Sequence, residues 1–278
     1  MNKAIVFLLF VCGLSFNSCS TDCKNYTCKN FENTDLYDLA EAASNKDTVE
    51  FDEILLEKKY SLTTAMGKWN RTFISCLLYD DNYFMLEHVL RTKLLEINLN
   101  AIRPLILYEC MSSEFERDNG LKYYEIFLSH GADPNLVVDG KGAYGNLLET
   151  KNFDHVSKII DVLLQYGWDI NNDELTELPL EGAVQNIRLA KYLIDKGADW
   201  RKPFKFKMYG TVEHIWDMSR HWLPPLDSES HRIKIELIKL FETEGYRYKD
   251  DPIPASTMEF IKREYPNEQE RLKYLQNY

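Results

Sequence analysis

Hydrophobic residues recur at helical spacing through most of the chain. Between Val156 and Leu164 they occupy positions i, i+3, i+4, i+7 and i+8, which lie on a single face of an α-helix. The stretch ends in two leucines, and Gly167 follows three residues later. A glycine at this place is typical of a helix C-terminus, where the chain turns through the left-handed region of backbone space. The pattern predicts amphipathic helices that end at tight glycine turns.

The same turn recurs along the chain. Residues 128–135 (LSHGADPN), 163–171 (LLQYGWDIN) and 193–199 (LIDKGAD) each carry an apolar helix end, a glycine and an aspartate. An Asp-x-Asn or Asp-x-Arg step then opens an extended segment. A helix, a turn and an extended arm that recur along the chain are typical of a stacked repeat. The candidate turns, in two of which lysine replaces glycine, are Lys59, Lys93, Gly131, Gly167, Gly197 and Gly245.

These segments resemble the ankyrin family, whose repeats end in L-L-x-x-G-A-D-x-N and begin near T-P-L-H. Degenerate versions of that opening occur at 103–107 (RPLIL), 178–181 (LPLE) and 211–214 (TVEH). The resemblance spans residues 34–249 and is strongest over residues 121–202. It implies an all-α fold, with an ankyrin-type helix-turn-helix repeat solenoid over residues 34–251. Short hairpin arms and about five to six degenerate repeats are expected.

The end of the sequence predicts a helical cap on the solenoid over residues 252–278. Residues 256–259 (STME) form a capping box, and Pro266-Asn267 is expected to start a final polar helix. Before the cap, the last repeat is enlarged. It is expected to contain a helix over residues 211–222 and a second one through Ile233 and Phe241.

The first eighteen residues have the pattern of an export signal: one lysine, a short apolar run at 4–11 and then small residues. The apolar run is too short to span a bilayer. Phe16-Asn17-Ser18-Cys19 resembles a bacterial lipobox, which implies lipidation of Cys19 and anchoring to the outer membrane from the periplasm. Cleavage by an ordinary signal peptidase is the alternative. We therefore expect a signal peptide over residues 1–18, followed by a lipidated cysteine and tether over residues 19–33.

Cysteines fall both in the expected tether and in the repeats. Cys23 and Cys28 lie in the polar segment, where an oxidising periplasm favours a small local disulfide between them. Cys76 and Cys110 fall inside repeat helices, where cysteine behaves as a small apolar core residue. A bond between these two cysteines remains an alternative.

Charge narrows the choice of partner. The chain has 44 acidic and 33 Lys or Arg residues, a formal net charge of −11. Such a surface disfavours nucleic acid and anionic headgroups, so membrane contact is expected through the lipid anchor only. It favours a protein partner with a basic surface, although acidity also serves solubility alone.

Large side chains near predicted turns are the candidate protein-binding residues. Trp69 lies at the tip of the first arm, where it is either exposed or folded onto the next repeat. Apolar and basic side chains alternate over residues 201–209. The basic side chains are expected either to bind an acidic partner or to pair with acidic neighbours in the chain. Trp168 and Trp200, by contrast, are expected to pack between repeats. The candidates are Met66, Trp69, Tyr144, Phe204, Phe206 and Tyr209.

The sequence carries none of the familiar catalytic spacings, such as a nucleophile elbow, a zinc-protease helix or a phosphate-binding glycine loop. His214 and His221, seven residues apart, are better explained as structural residues than as metal ligands. We therefore predict no catalytic or metal-binding residue, no cofactor and no small-molecule substrate.

An exported ankyrin-repeat protein on a short tether is similar to periplasmic immunity lipoproteins encoded beside type VI secretion effectors, including membrane-attacking phospholipases. This resemblance implies a protein that binds and inhibits an incoming toxin. The alternative is an envelope scaffold or adaptor that binds a resident periplasmic protein.

Overall fold

The computed structural model describes residues 25–62, 66–69, 71–92, 119–137, 140, 142, 144, 147–148, 152–205, 213–250 and 252–278. Over these residues the chain forms thirteen helices, and its one pair of bridged extended residues is Met66 and Thr72. The predicted all-α class is confirmed. None of these helices is long and apolar enough to cross a membrane. The chain divides into two compact units, residues 1–88 and 89–278.

The first unit is built around a small aromatic core. Its helices are α1 (Tyr26–Phe31), α2 (Tyr37–Asn45), α3 (Thr48–Lys58), α4 (Phe73–Tyr79) and α5 (Tyr83–Arg91), of which α5 ends just past the unit boundary. Helix α2 packs against α3, and α1 packs against both α2 and α4. The ring of Phe73 lies 5.3 Å from that of Phe31 and 5.9 Å from that of Phe51, and all three side chains are fully buried.

Helix α1 corrects the expected tether, which was predicted to run to residue 33. The side chain of Asn25 caps α1 by accepting a hydrogen bond from the backbone N–H of Cys28. Cys28 and Phe31 are buried in the core of the first unit. The helix has only six residues, too few to show a periodic apolar face in sequence. Residues 19–24 lie outside the described part.

Helix α1 also changes where the predicted disulfide of Cys28 lies. Cys28 is disulfide-bonded, and its buried position places the bond at the core rather than in a loose tether. Cys23, its predicted partner, lies outside the described residues, as do Cys19 and Cys110. Cys76 is fully buried in α4, as expected of a small apolar core residue.

The second unit is a succession of helices packed on their neighbours. The helices are α6 (Asn119–Ser129), α7 (Phe153–Gln165), α8 (Pro179–Gly182), α9 (Ile187–Asp195), α10 (Ile215–Ser219), α11 (Glu229–Thr243), α12 (Ala255–Glu264) and α13 (Glu268–Gln276). Helix α6 packs on α7, and α7 packs on α9. Helix α9 packs on both α8 and α11, while α10 packs on α11. The short helix α8 starts with Pro179, and the Glu181 side chain accepts a hydrogen bond from the backbone N–H of Leu178 at 3.3 Å.

The predicted left-handed turns are present wherever the structure describes them. The backbone φ is +93° at Gly131, +86° at Gly167, +103° at Gly197 and +92° at Gly245. Lys59, expected to replace glycine, has φ +53°. Lys93, the sixth predicted turn, lies outside the described residues.

After the turns at Gly131 and Gly167, the Asp-x-Asn step joins one turn to the next. The Asn135 side-chain amide donates to the Gly167 carbonyl at 2.8 Å, and its oxygen accepts from the Asp169 N–H at 2.6 Å. Asn171 repeats this contact with Gly197 at 2.9 Å and Asp199 at 2.8 Å. These side chains hold successive turns at a fixed spacing.

The C-terminal segment is helical, with one boundary predicted wrongly. Asn267 caps α13 as expected, because its side chain accepts a hydrogen bond from the Gln269 N–H at 2.9 Å. The capping box predicted at Ser256 is wrong, since α12 already begins at Ala255. The helix predicted over residues 211–222 is shorter, limited to α10, and residues 211–212 lie outside the described part.

Candidate protein-binding surface on the first unit

Among the predicted binding residues that the structure describes, those on the arm between α3 and α4 are the most exposed. Met66 and Thr72 form an antiparallel bridge, and the Gly67 N–H donates to the Arg71 carbonyl at 3.0 Å. A Cβ added at Gly67 would lie 2.1 Å from the Asn30 side-chain nitrogen. Only glycine therefore lets the arm approach α1 this closely.

Asn30 holds the tip of this arm in place. Its side chain is fully buried, and its oxygen accepts a hydrogen bond from the Trp69 N–H at 2.9 Å. Its backbone carbonyl accepts from the Lys68 N–H at 2.8 Å. Its amide nitrogen lies 3.3 Å from the Arg71 carbonyl and 3.1 Å from the sulfur of Cys76. The tip is thus held by hydrogen bonds to one buried side chain and its backbone, which keeps the cost of ordering it low when a partner binds.

Three aromatic side chains meet at this tip. The Trp69 ring lies 4.7 Å from the Tyr26 ring, which lies 4.1 Å from the Tyr79 ring. Trp69 and Tyr79 are each 44% exposed, and Met66 on the same arm is 53% exposed. We call Tyr26, Trp69 and Tyr79 the aromatic patch. Met66 is exposed as predicted. Of the two alternatives for Trp69, the structure favours exposure, with the covered side of the ring packed on α1.

Tyr26 was missed from the sequence because α1 was taken as tether, and Tyr79, at the end of α4, was missed because its contact with Tyr26 joins distant parts of the chain. Their positions depend on Asp80, which follows α4 directly. Its carboxylate accepts hydrogen bonds from the backbone N–H groups of Tyr26 at 2.9 Å and Thr27 at 2.8 Å. This contact ties the start of α1 to the end of α4 and brings the two tyrosines together. An asparagine at position 25, a good helix N-cap, was the only local signal for α1.

The segment that carries the patch is acidic. Residues 25–88 contain twelve acidic and six Lys or Arg side chains. One of the six, Lys68, lies beside the patch, with Nζ 4.9 Å from the centroid of the Trp69 ring. The same Nζ lies 3.0 Å from a carboxylate oxygen of Glu32, so this lysine is neutralised within the unit.

Tyr144, predicted as an exposed anchor, is instead buried. It is only 7% exposed; its hydroxyl donates to the Glu177 carbonyl at 2.5 Å, and its ring lies 5.5 Å from that of Trp168. Burial, with a smaller contribution from the Glu177 carboxylate, raises the pKa of Tyr144. The arm that carries it lies against residues 175–177, because the Thr176 N–H donates to the Gly140 carbonyl at 2.7 Å. The prediction of an exposed Tyr144 is wrong.

The basic segment that begins at Arg201 is bound to neighbouring parts of the chain where it is described. Phe204 is buried, so its prediction as an exposed contact is wrong. Lys202 donates to the Asp173 carboxylate at 2.9 Å, and Lys205 donates to the Leu175 carbonyl at 2.8 Å. The hydrogen bond from Lys202 lowers the pKa of Asp173. The two lysines therefore hold a neighbouring loop in place. This agrees with the alternative that the segment pairs with its own neighbours rather than with an acidic partner. Phe206 and Tyr209 lie outside the described residues.

Trp168 and Trp200 are both buried, which confirms their predicted packing role. The Trp200 ring lies 5.0 Å from that of Phe241. His214 stacks on Trp216 with ring centroids 4.0 Å apart, and His221 hydrogen-bonds Thr257 at 3.0 Å. Among the described residues, no three His, Cys, Asp or Glu side chains lie close enough together to hold a metal ion.

No protein-family model matches the chain, and no curated protein matches its sequence. We therefore infer the function from the surfaces of the described residues. Among them, Met66, Trp69 and Tyr79 are large exposed side chains, and the arm that carries Met66 and Trp69 is hydrogen-bonded to the buried Asn30. That combination is characteristic of the energetic centre of a protein–protein interface.

Proposed function

We propose that this protein works by binding another protein, with Trp69 at the centre of the contact. The observation that carries the proposal is the half-exposed Trp69 on a tip fixed by the fully buried Asn30. Tryptophan and tyrosine are enriched among the few residues that dominate interface energies. A pre-ordered tip loses little conformational freedom on binding, so more of the contact energy remains as affinity.

We also propose that the two units are each built from ankyrin-type repeats. The recurring left-handed turns and the asparagine contacts between them support this reading. The bridge between Met66 and Thr72 supports a hairpin arm of the kind that such repeats project. Repeat arrays use such arms, with the adjoining helices, as extended binding surfaces.

We further propose that the partner is a toxic secreted effector, such as a type VI secretion phospholipase, which this protein binds and inhibits in the periplasm. The export-signal pattern and the lipobox resemblance at Cys19 support an outer-membrane lipoprotein. The acidic first unit suits a partner with a basic surface, because opposite charges speed encounter. The envelope scaffold remains the alternative, and it predicts binding to a resident periplasmic protein.

The test uses bacteria that express, in the periplasm, a toxin encoded beside this gene. Cells carrying the wild-type protein should survive, and cells carrying Trp69→Ala should lose most of that protection. Tyr166→Ala is the matched control, because Tyr166 is 40% exposed but lies on the second unit. Equal protection by wild type and Trp69→Ala would show that the binding surface lies elsewhere. No protection by the wild type, with stable binding to a resident protein, would favour the scaffold.

A further inference from the structure

A cation of the chain itself lies against the aromatic patch. The ammonium of Lys68 is 4.9 Å from the centroid of the Trp69 ring and 3.0 Å from the Glu32 carboxylate. A cation within about 6 Å of an indole face is attracted by the negative face of the ring. The indole and the carboxylate together therefore form a place where positive charge is favoured.

This internal contact is easily opened. The side chains of Lys68 and Glu32 are 40% and 57% exposed, and ion pairs so open to water contribute little to stability. The Lys68 backbone is held by the Asn30 carbonyl at 2.8 Å, so the lysine side chain can swing away while the tip stays in place. Removing the ammonium would leave the Trp69 ring and the Glu32 carboxylate as an open site.

An arginine suits this site better than the resident lysine. A guanidinium is planar, stacks on an aromatic ring and can donate two parallel hydrogen bonds to one carboxylate. An ammonium is a compact and strongly hydrated charge that does neither. Tyr26, with its ring 4.7 Å from that of Trp69, enlarges the aromatic surface available for stacking.

We propose that Trp69 and Glu32 bind an arginine side chain of the partner protein, which displaces Lys68 from the site. The identity of the partner rests on the proposed function, whereas the site itself can be tested without the partner. A protein source fits better than a lipid headgroup, because lipid phosphates would be repelled by the twelve acidic residues of the segment 25–88.

The test follows the indole N–H resonance of Trp69 in ¹⁵N-labelled protein, assigned through Trp69→Phe. The probe is a blocked Gly-Arg-Gly peptide at millimolar concentration in low salt, and the control probe replaces arginine with neutral citrulline. The arginine peptide should shift the resonance saturably, and the citrulline peptide should not. Lys68→Met, which keeps the apolar stem but removes the competing charge, should tighten binding several-fold. Glu32→Gln should weaken it several-fold.

Arg188→Met is the matched control variant, because its guanidinium lies 4.0 Å from the Phe153 ring in the second unit. It should change nothing at Trp69. Equal shifts with the arginine and citrulline peptides, or unchanged affinity in Lys68→Met, would overturn the site. If the arginine peptide binds as expected but Trp69→Ala still protects cells from the toxin, the site stands and the proposed function fails.

Discussion

Asn135 donates a hydrogen bond from its side-chain amide to the backbone carbonyl of Gly167 at 2.8 Å. The amide oxygen of the same residue accepts from the next turn, at the Asp169 N–H. Both contacts join one left-handed turn to the following one. A backbone carbonyl in such a turn would otherwise depend on water alone for its hydrogen bond.

We expect Asn135→Ala and Asn171→Ala each to lower the free energy of unfolding by about 1–2 kcal/mol, because each removes two hydrogen bonds worth about 1 kcal/mol apiece. Urea denaturation of the purified protein measures the change. Gln165→Ala, at an exposed amide on α7, is the control and should leave the midpoint nearly unchanged. Midpoints that match for all three variants would mean that the asparagine contacts do not couple the turns.

A second prediction concerns the left-handed turn at Gly167. Its φ is +86°, and no atom lies within 4 Å of where a Cβ would stand, so a substitution meets strain rather than a clash. Gly167→Val should destabilise the protein by more than about 1 kcal/mol, since a β-branched residue is strongly disfavoured in this region. Gly167→Ala should cost less than the valine. Similar effects from both substitutions, or none, would contradict the strain argument.

A third prediction concerns Gly67, where a larger residue is excluded by close contact with Asn30 rather than by the backbone angle φ. The added methyl of Gly67→Ala would meet the Asn30 side chain, whose own bonds hold the tip. We expect this variant to shift the indole N–H resonance of Trp69 and to weaken partner binding at least tenfold. Met66→Ala, on the same arm, should reduce binding through lost contact area while leaving the Trp69 resonance nearly unchanged. An unshifted Trp69 resonance in Gly67→Ala would show that Asn30 does not position the tip.

The turns and the amphipathic helices are predictable from sequence because each depends on residues that lie close together in the chain. Helix α7 follows from the spacing of Val156 and Leu163, and its turn follows from Gly167 alone. Met66 and Trp69 could be placed at the tip of an arm for the same reason, since a tight-turn composition surrounds them. The sequence left open whether the Trp69 side chain is exposed there.

The contacts that escaped prediction join distant parts of the chain. Helix α1 is fixed by Asp80, which lies 54 positions from Tyr26. Tyr144 is buried by a partner 33 positions away, at Glu177. A six-residue helix and a single tyrosine on an arm carry no periodic pattern, so only their distant partners decide whether they are buried.

Lys234 gives the last prediction. This lysine of α11 is fully buried, and its Nζ donates to the Trp222 carbonyl at 2.8 Å. The same atom lies 3.8 Å from the centroid of the Tyr278 ring and 5.3 Å from that of Tyr248. Burial lowers the pKa of Lys234 from its ordinary value of 10.5 to about 7. Burial also raises the pKa of both tyrosines, so their hydroxyls stay neutral near pH 9.

Between pH 7 and 10.5 the unfolded chain therefore binds a proton on Lys234 that the folded protein lacks. The free energy of unfolding must rise with pH across this window, and the contribution of Lys234 levels off below it, where both states are protonated. From pH 7 to 9 the wild type should gain about 2 kcal/mol more than Lys234→Met, since each unit of a full pKa difference corresponds to about 1.4 kcal/mol. Urea denaturation at the two pH values measures this difference. Lys239→Met, at an exposed lysine of the same helix, should behave like the wild type. If Lys234→Met gains as much stability as the wild type, the lysine keeps its charge in the folded protein, and the hydrogen bond to Trp222 and the two rings offset its burial.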